Sequence, residues 1–203
     1  GRDGGALRQA RVTRRTVLIT GGTGLLGLNW ACALRDAHDV VLGTHVRRVS
    51  LARTRAVELA LDDAEGLARE IRRIAPAVIV HAAGITSVEE CEREPERARH
   101  IYEDLSVNVA ARAERVGARL IHISTDHLFS GESALSSEDA MPQPVNAYAR
   151  AKLAAERAVA GAYPAALVVR TNFFGWGHRY RQSFTDWIYY ALAEGRHLTM
   201  FDD

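Results

Sequence analysis

The apolar run Thr16-Val17-Leu18-Ile19-Thr20 leads without a spacer into Gly21-Gly22-Thr23-Gly24-Leu25-Leu26-Gly27, and then into an apolar stretch that reaches Leu34. The run is short and β-branched, which predicts a buried strand; the stretch after the glycines predicts a helix. Glycines 21, 24 and 27 therefore form G-x-x-G-x-x-G between a strand and a helix. Each glycine has its own physical task in such a turn. Gly21 permits the tight bend, Gly24 lets a pyrophosphate approach the backbone, and Gly27 allows the helix to pack closely on the strand. The amino end of the helix offers N–H groups and a positive dipole to phosphate. Strand, glycines and helix together predict a nucleotide-binding α/β unit.

The rest of the chain continues the alternation. Strands are predicted over residues 39–44, 56–61, 77–81, 119–124 and 165–171. Helices are predicted over 65–74 (ended by Pro76), 95–116 and 146–160, with a loop over 125–145 that holds Gly131, Pro142 and Pro144. Repeated β-α units with apolar strands imply an α/β fold, a doubly wound, Rossmann-like parallel sheet covered on both faces. Ligands of such sheets sit beyond the carboxyl ends of the strands, where Gly21, Asp62, Ala83, Thr125 and Thr171 fall. Residues 1–14 read as a flexible tail, with Arg8, Arg11, Arg14 and Arg15 near it as solvated charges. Residues 15–175 read as the dinucleotide-binding domain and 176–203 as the start of a smaller lobe.

Composition narrows the class. A net charge of +1 with interspersed signs argues against a nucleic-acid partner. Cys32 and Cys91 fit neither a zinc pattern nor a disulfide framework, which points to a reducing, cytoplasmic setting. The eight histidines lack His-x-x-x-His spacing, so no metal site is expected. The run from Val17 to Leu34 is too interrupted for a membrane span or a signal peptide. Of the twenty-six Lys and Arg residues, one is lysine: Lys152, four after Tyr148. In a chain that uses arginine wherever a cation is wanted, this lysine marks a place where a planar guanidinium does not serve. Positions i and i+4 of a helix share a face, so the phenol and the ammonium form a candidate pair.

The glycine turn, Leu61-Asp62-Asp63, His81-Ala82-Ala83-Gly84, Ser124-Thr125-Asp126 and Tyr148-x-x-x-Lys152 resemble an extended short-chain dehydrogenase/reductase. More narrowly, residues 15–203 resemble the dTDP-4-dehydrorhamnose reductase family. The narrowing rests on Val88-Glu89-Glu90-Cys91-Glu92-Arg93-Glu94-Pro95, on the run from Ser124 through His127 to Gly131, on Pro144-Val145-Asn146-Ala147-Tyr148 and on Arg170-Thr171-Asn172-Phe173-Phe174-Gly175. The resemblance implies NADPH-dependent reduction of a 4-keto-deoxysugar nucleotide. Tyr148 would be the general acid, Lys152 would bring its pKa down and hold the nicotinamide ribose, and Thr125 would orient the carbonyl, with Ser124 second for that task. Gly21, Thr23, Gly24, Leu25, Leu26 and Gly27 would hold the pyrophosphate. Asp62 would accept from the adenine amino group, with Ala82, Ala83 and Gly84 lining the adenosine side. The plain alternatives stay open: a half-buried aromatic for Tyr148, a loop cap for Thr125.

NAD-binding sheets place an acid about 20 residues after the first glycine of the turn. Here the stretch reads Gly43-Thr44-His45-Val46-Arg47-Arg48, without an acid. An arginine there accepts a 2′-phosphate, so NADPH is favoured over NADH, with Arg47 first and Arg48 second, against the alternative of two solvated loop arginines. Tyr102 falls where the family carries an asparagine, His127 where a tyrosine is common, and the family continues beyond Asp203, which suggests a fragment. Two rival functions remain: an NADP-binding regulatory protein related to the methionine adenosyltransferase β-subunit, and a sugar-nucleotide epimerase or dehydratase. The expected partner is a small sugar nucleotide, not a nucleic acid or a membrane, and homodimer formation is left open.

Overall fold

The computed structural model describes residues 14–131, 135–177 and 182–200. Six strands form one sheet: β1 (Thr16–Thr20), β2 (Asp39–Thr44), β3 (Thr54–Glu58), β4 (Val78–His81), β5 (Arg119–Ile123) and β6 (Leu167–Val169). Their order is β3-β2-β1-β4-β5-β6 and every pairing is parallel. The helices are α1 (Leu25–Leu34), α2 (Ala64–Ile74), α3 (Val88–Arg93), α4 (Pro95–Arg99), α5 (Leu105–Val116), α6 (Ala147–Ala162) and α7 (Phe184–Ala193), with a π-helical turn (His100–Asp104) between α4 and α5. This is the doubly wound, Rossmann-like sheet that the alternating pattern predicts. The chain builds outward from β1 to β3 and then returns to β4, so the order reverses between β1 and β4. That reversal opens a crevice beyond the strand carboxyl ends.

Alternation along the strands explains the two cores. Leu18, Val41, Ile79 and Leu120 meet Leu67 and Ile71 of α2 and Val109 and Ala113 of α5. Ile19, Val40, Leu42, Val80 and Ile123 face the other way, towards Ala31 of α1. Two residues further along, the first face changes character. Thr20, His81 and His122 replace leucine and isoleucine and are buried there, and Ser124 follows just past β5. The carboxyl end of the sheet is thus polar beneath an apolar floor.

Several boundaries differ from the sequence reading. β3 covers 54–58 rather than 56–61, because its register pairs Glu58 with Thr44, the last residue of β2. Leu61-Asp62-Asp63 is therefore a turn and not a strand end, and Asp63 caps α2 by accepting from the Gly66 N–H. The helix expected over 95–116 contains the π turn, and α3 precedes it. Arg14 is not a loose tail charge: it pairs with Asp39 at 3.1 Å and donates to the Arg35 and His38 carbonyls. Arg8, Arg11 and the terminal Phe201-Asp202-Asp203 lie outside the described residues. Among the described residues, no helix is long and apolar enough to cross a membrane.

Candidate active site

The glycine turn is built by close approach. Gly21 has φ of 68°, the left-handed region that suits glycine. A Cβ there would stand 2.8 Å from the Ala82 carbonyl oxygen and 2.9 Å from the Ala83 nitrogen. At Gly27 it would meet the Gly21 oxygen at 2.6 Å, and at Gly22 the Leu42 Cβ at 2.8 Å. These three glycines are required by the protein's own packing. Gly24 is different. Its backbone is extended, and a Cβ would find one neighbour within 4 Å, the Gly21 oxygen at 3.2 Å. Space, rather than packing, is what a side chain at Gly24 would remove.

Gly24 is also the N-cap of α1, and it supplies no side-chain cap. Asp63, Ser87, Asn146 and Ser183 do supply one to α2, α3, α6 and α7. The first-turn N–H groups of α1, at Leu25, Leu26 and Gly27, have no intrahelical acceptor, and the first turn itself carries no acidic residue. An uncapped, acid-free helix start on a glycine turn fits the phosphates of a dinucleotide. Thr23, Leu25 and Leu26 are partly buried around it, as are Ala82 and Ala83 on the facing loop. Arg47 and Arg48 lie exposed past the end of β2, and Asp62 is exposed before α2.

Across the β1–β4 crevice, α6 carries Tyr148 and Lys152. Asn146 starts the helix by accepting from the Ala149 N–H at 2.7 Å, and the Glu92 carboxylate accepts from the Ala147 N–H. Thr125, 4% exposed just past the end of β5, stands beside the Tyr148 phenol. Burial pushes that phenol's pKa up, and the neighbouring Thr125 hydroxyl opposes the rise. The expected lowering by Lys152 is therefore not what the structure shows. The Lys152 ammonium is instead directed to the Ile123 carbonyl, and it lies 5.0 Å from the centre of the Tyr102 ring. Lys152 is 6% exposed, and burial brings its pKa down to about 8 against the opposing pull of Glu156. The structure thus brings Thr125, Tyr148 and Lys152 together. Ser124 is buried beside them with its hydroxyl unpartnered among the described residues.

Sequence reasoning missed a buried polar layer beneath Lys152. His81 joins the Thr20 hydroxyl at 2.7 Å and the Ser106 hydroxyl at 3.0 Å. The His122 ring lies 5.4 Å from that of His81, tilted by 33°, and has no hydrogen-bond partner on either nitrogen among the described residues. Burial, with Lys152 nearby, lowers the His81 pKa to about 3. Burial, then His81 and Lys152, lowers that of His122 to about 2. Polar residues ending otherwise apolar strands were the available signal.

Comparison with known proteins follows the same outline. The profile described as the RmlD substrate binding domain matches residues 15–203. The rat methionine adenosyltransferase 2 subunit beta is 34% identical over 151 residues, covering 74% of this chain and 44% of that protein. Among solved structures, a hypothetical dTDP-4-dehydrorhamnose reductase from Sulfolobus tokodaii superposes with a TM-score of 0.79 at 29% identity, covering 90% of this chain and 63% of the other. The dTDP-4-dehydrorhamnose reductase of Bacillus anthracis, in complex with NADP, superposes with a TM-score of 0.78 at 26% identity, covering 93% and 63%. The chain spans less than half of the rat relative and less than two thirds of either structure.

Proposed function

For a chain that belongs to the RmlD substrate binding domain family, we propose NADPH-dependent reduction of a 4-keto-deoxysugar nucleotide of the dTDP-4-dehydrorhamnose kind. One observation carries the reading: Thr125, Tyr148 and Lys152 converge at the end of β5, across the sheet's crevice from an uncapped glycine turn. The nicotinamide cofactor, when bound, supplies hydride. Tyr148 is protonated at neutral pH and donates that proton to the carbonyl oxygen, the direction a reduction requires. Thr125 orients the carbonyl beside the phenol. The Lys152 ammonium, held at the Ile123 carbonyl, binds the nicotinamide ribose. Arg47 and Arg48 meet the 2′-phosphate, Asp62 meets the adenine, and residues 176–203 open the sugar-nucleotide lobe.

A second reading is favoured by a specific observation. The likeness to methionine adenosyltransferase 2 subunit beta reaches 74% of the chain, and it supports a regulatory protein that holds NADP without turning it over. Titration calorimetry with NADPH and NADH, followed by turnover of dTDP-4-keto-6-deoxysugars, separates the two. Binding with turnover supports the reductase; binding without it supports the regulatory protein. Absence of both refutes the cofactor site.

A further inference from the structure

Tyr102 touches both members of the Tyr148–Lys152 pair. It sits on the π turn (His100–Asp104) and is 3% exposed. The Lys152 ammonium lies over its ring, 5.0 Å from the centroid. The Tyr148 ring meets it edge-on, with centroids 5.7 Å apart and planes at 81°. Gly84 packs on it so closely that a Cβ would stand 2.6 Å from the Tyr102 Cε1. Cys91, Ala98, Ala147, Ala151 and Ala155 complete the cage, all small enough to admit a large ring. π turns are rare, and they concentrate at functional sites.

We propose that Tyr102 is a positioning residue, whose π face holds the Lys152 ammonium and whose edge contact fixes the ring of Tyr148. An ammonium that is 6% exposed needs compensation for the water it has lost. Among the described residues its one hydrogen-bond acceptor is the Ile123 carbonyl. The negative face of an aromatic ring supplies more. The same ring limits where the phenol can swing, so the proton donor and the cation keep their spacing when the crevice is filled. The catalytic consequence rests on the reductase reading; the ring–ammonium contact does not.

The chain's single lysine gives a direct test. Protein labelled with [ε-15N]lysine shows one side-chain resonance, and its pH titration reports Lys152 alone. The groups facing it are Tyr148 and Glu156 of α6, Tyr102 of the π turn, His81 of β4 and His122 of β5. The imidazoles stay neutral across that range, with pKa values lowered to about 3 and about 2. Tyr102→Leu is expected to lower the Lys152 midpoint by about 0.4–1.5 pH units, because the ring stabilises the charged form. Tyr102→Phe keeps the ring and is expected to leave the midpoint in place. In the unaltered protein the Lys152 ε-methylene protons are expected upfield, shielded by the ring, and this reading holds the proposal to account should the leucine variant not fold. An unshifted midpoint in Tyr102→Leu, or unshielded ε protons in the unaltered protein, overturns it. Turnover is scored separately. The expected signature is a pH–kcat profile that moves with the midpoint in Tyr102→Leu and is restored in Tyr102→Phe. A midpoint that moves in a protein that reduces no ketone counts against the reductase reading and leaves the positioning role standing.

Discussion

Arg170 grips both carboxylate oxygens of Glu156, Nε at 3.1 and 3.2 Å and Nη2 at 2.8 Å, one helical turn along α6 from Lys152. Its other arm donates to the Glu138 carbonyl, tying the loop after β5 to the helix of Tyr148. The partners are unequally buried, with 8% of the Glu156 side chain exposed and 27% of that of Arg170. Arg170→Ala strands a buried carboxylate and is expected to cost about 3 kcal/mol. Glu156→Gln leaves a guanidinium that reaches water and is expected to cost about 1–2 kcal/mol. Urea midpoints of the two variants test the asymmetry; equal losses contradict it. Glu156 favours the Lys152 ammonium, so Glu156→Gln is also expected to lower the lysine's midpoint below about 8.

The glycine turn makes a separable prediction. Gly27→Ala brings a Cβ to 2.6 Å of the Gly21 oxygen and is expected to destabilise the fold itself. Gly24→Val enters nearly open space and is expected to fold with a loss within about 1 kcal/mol, while NADPH binding disappears because the pyrophosphate can no longer approach. Thermal melts and calorimetry on both variants check this. A folded Gly24→Val protein with unchanged NADPH affinity removes the phosphate site from the turn.

Replacing Arg47 and Arg48 together with alanine is expected to weaken NADPH by roughly ten- to a hundred-fold and NADH little, the effect of losing a charge-assisted pair to the 2′-phosphate. Parallel titrations with the two cofactors measure the ratio. Equal losses place the arginines outside the selectivity determinant.

His81 and His122 make stability depend on pH. Both are neutral in the fold, with pKa values depressed to about 3 and about 2 by burial, whereas the unfolded chain takes up protons below about 6.5. Their contribution is complete above pH about 7 and is lost as pH falls towards 3. Each imidazole contributes a slope of about 1.4 kcal/mol per pH unit. His122→Phe removes a ring whose nitrogens have no hydrogen-bond partner among the described residues. It is expected to flatten the acid limb by one such slope. Urea midpoints from pH 7 down to 4 read this directly, and an unchanged limb contradicts the assignment.

Much of this architecture was legible in the chain. β1 and β2 fall on residues 16–20 and 39–44 as read, because each is an apolar run with a glycine or a turn at its end. β3 was read two residues late. Ala56 to Leu61 looks like a buried strand, yet the observed strand is half exposed, and its limits are set by pairing with β2. The π turn left no mark because His100–Asp104 has an ordinary helical composition; the fit of Tyr102 against Gly84 and α6 goes with it. The Tyr148–Lys152 spacing is a local property and could be read. The ring of Tyr102 meets that pair only through the tertiary fold, and no spacing along the chain encodes it. The raised Tyr148 pKa was missed for the same reason, since burial depends on the fold.

The central claim is that Tyr148 donates a proton in a nicotinamide-dependent reduction. The most direct measurement is NADPH oxidation during turnover of a dTDP-4-keto-6-deoxysugar by the unaltered protein and by Tyr148→Phe, with NADPH affinity measured alongside. The account predicts a rate lowered by about 10²–10⁴-fold in the variant, with cofactor affinity nearly unchanged. An active protein whose rate is indifferent to Tyr148→Phe contradicts it.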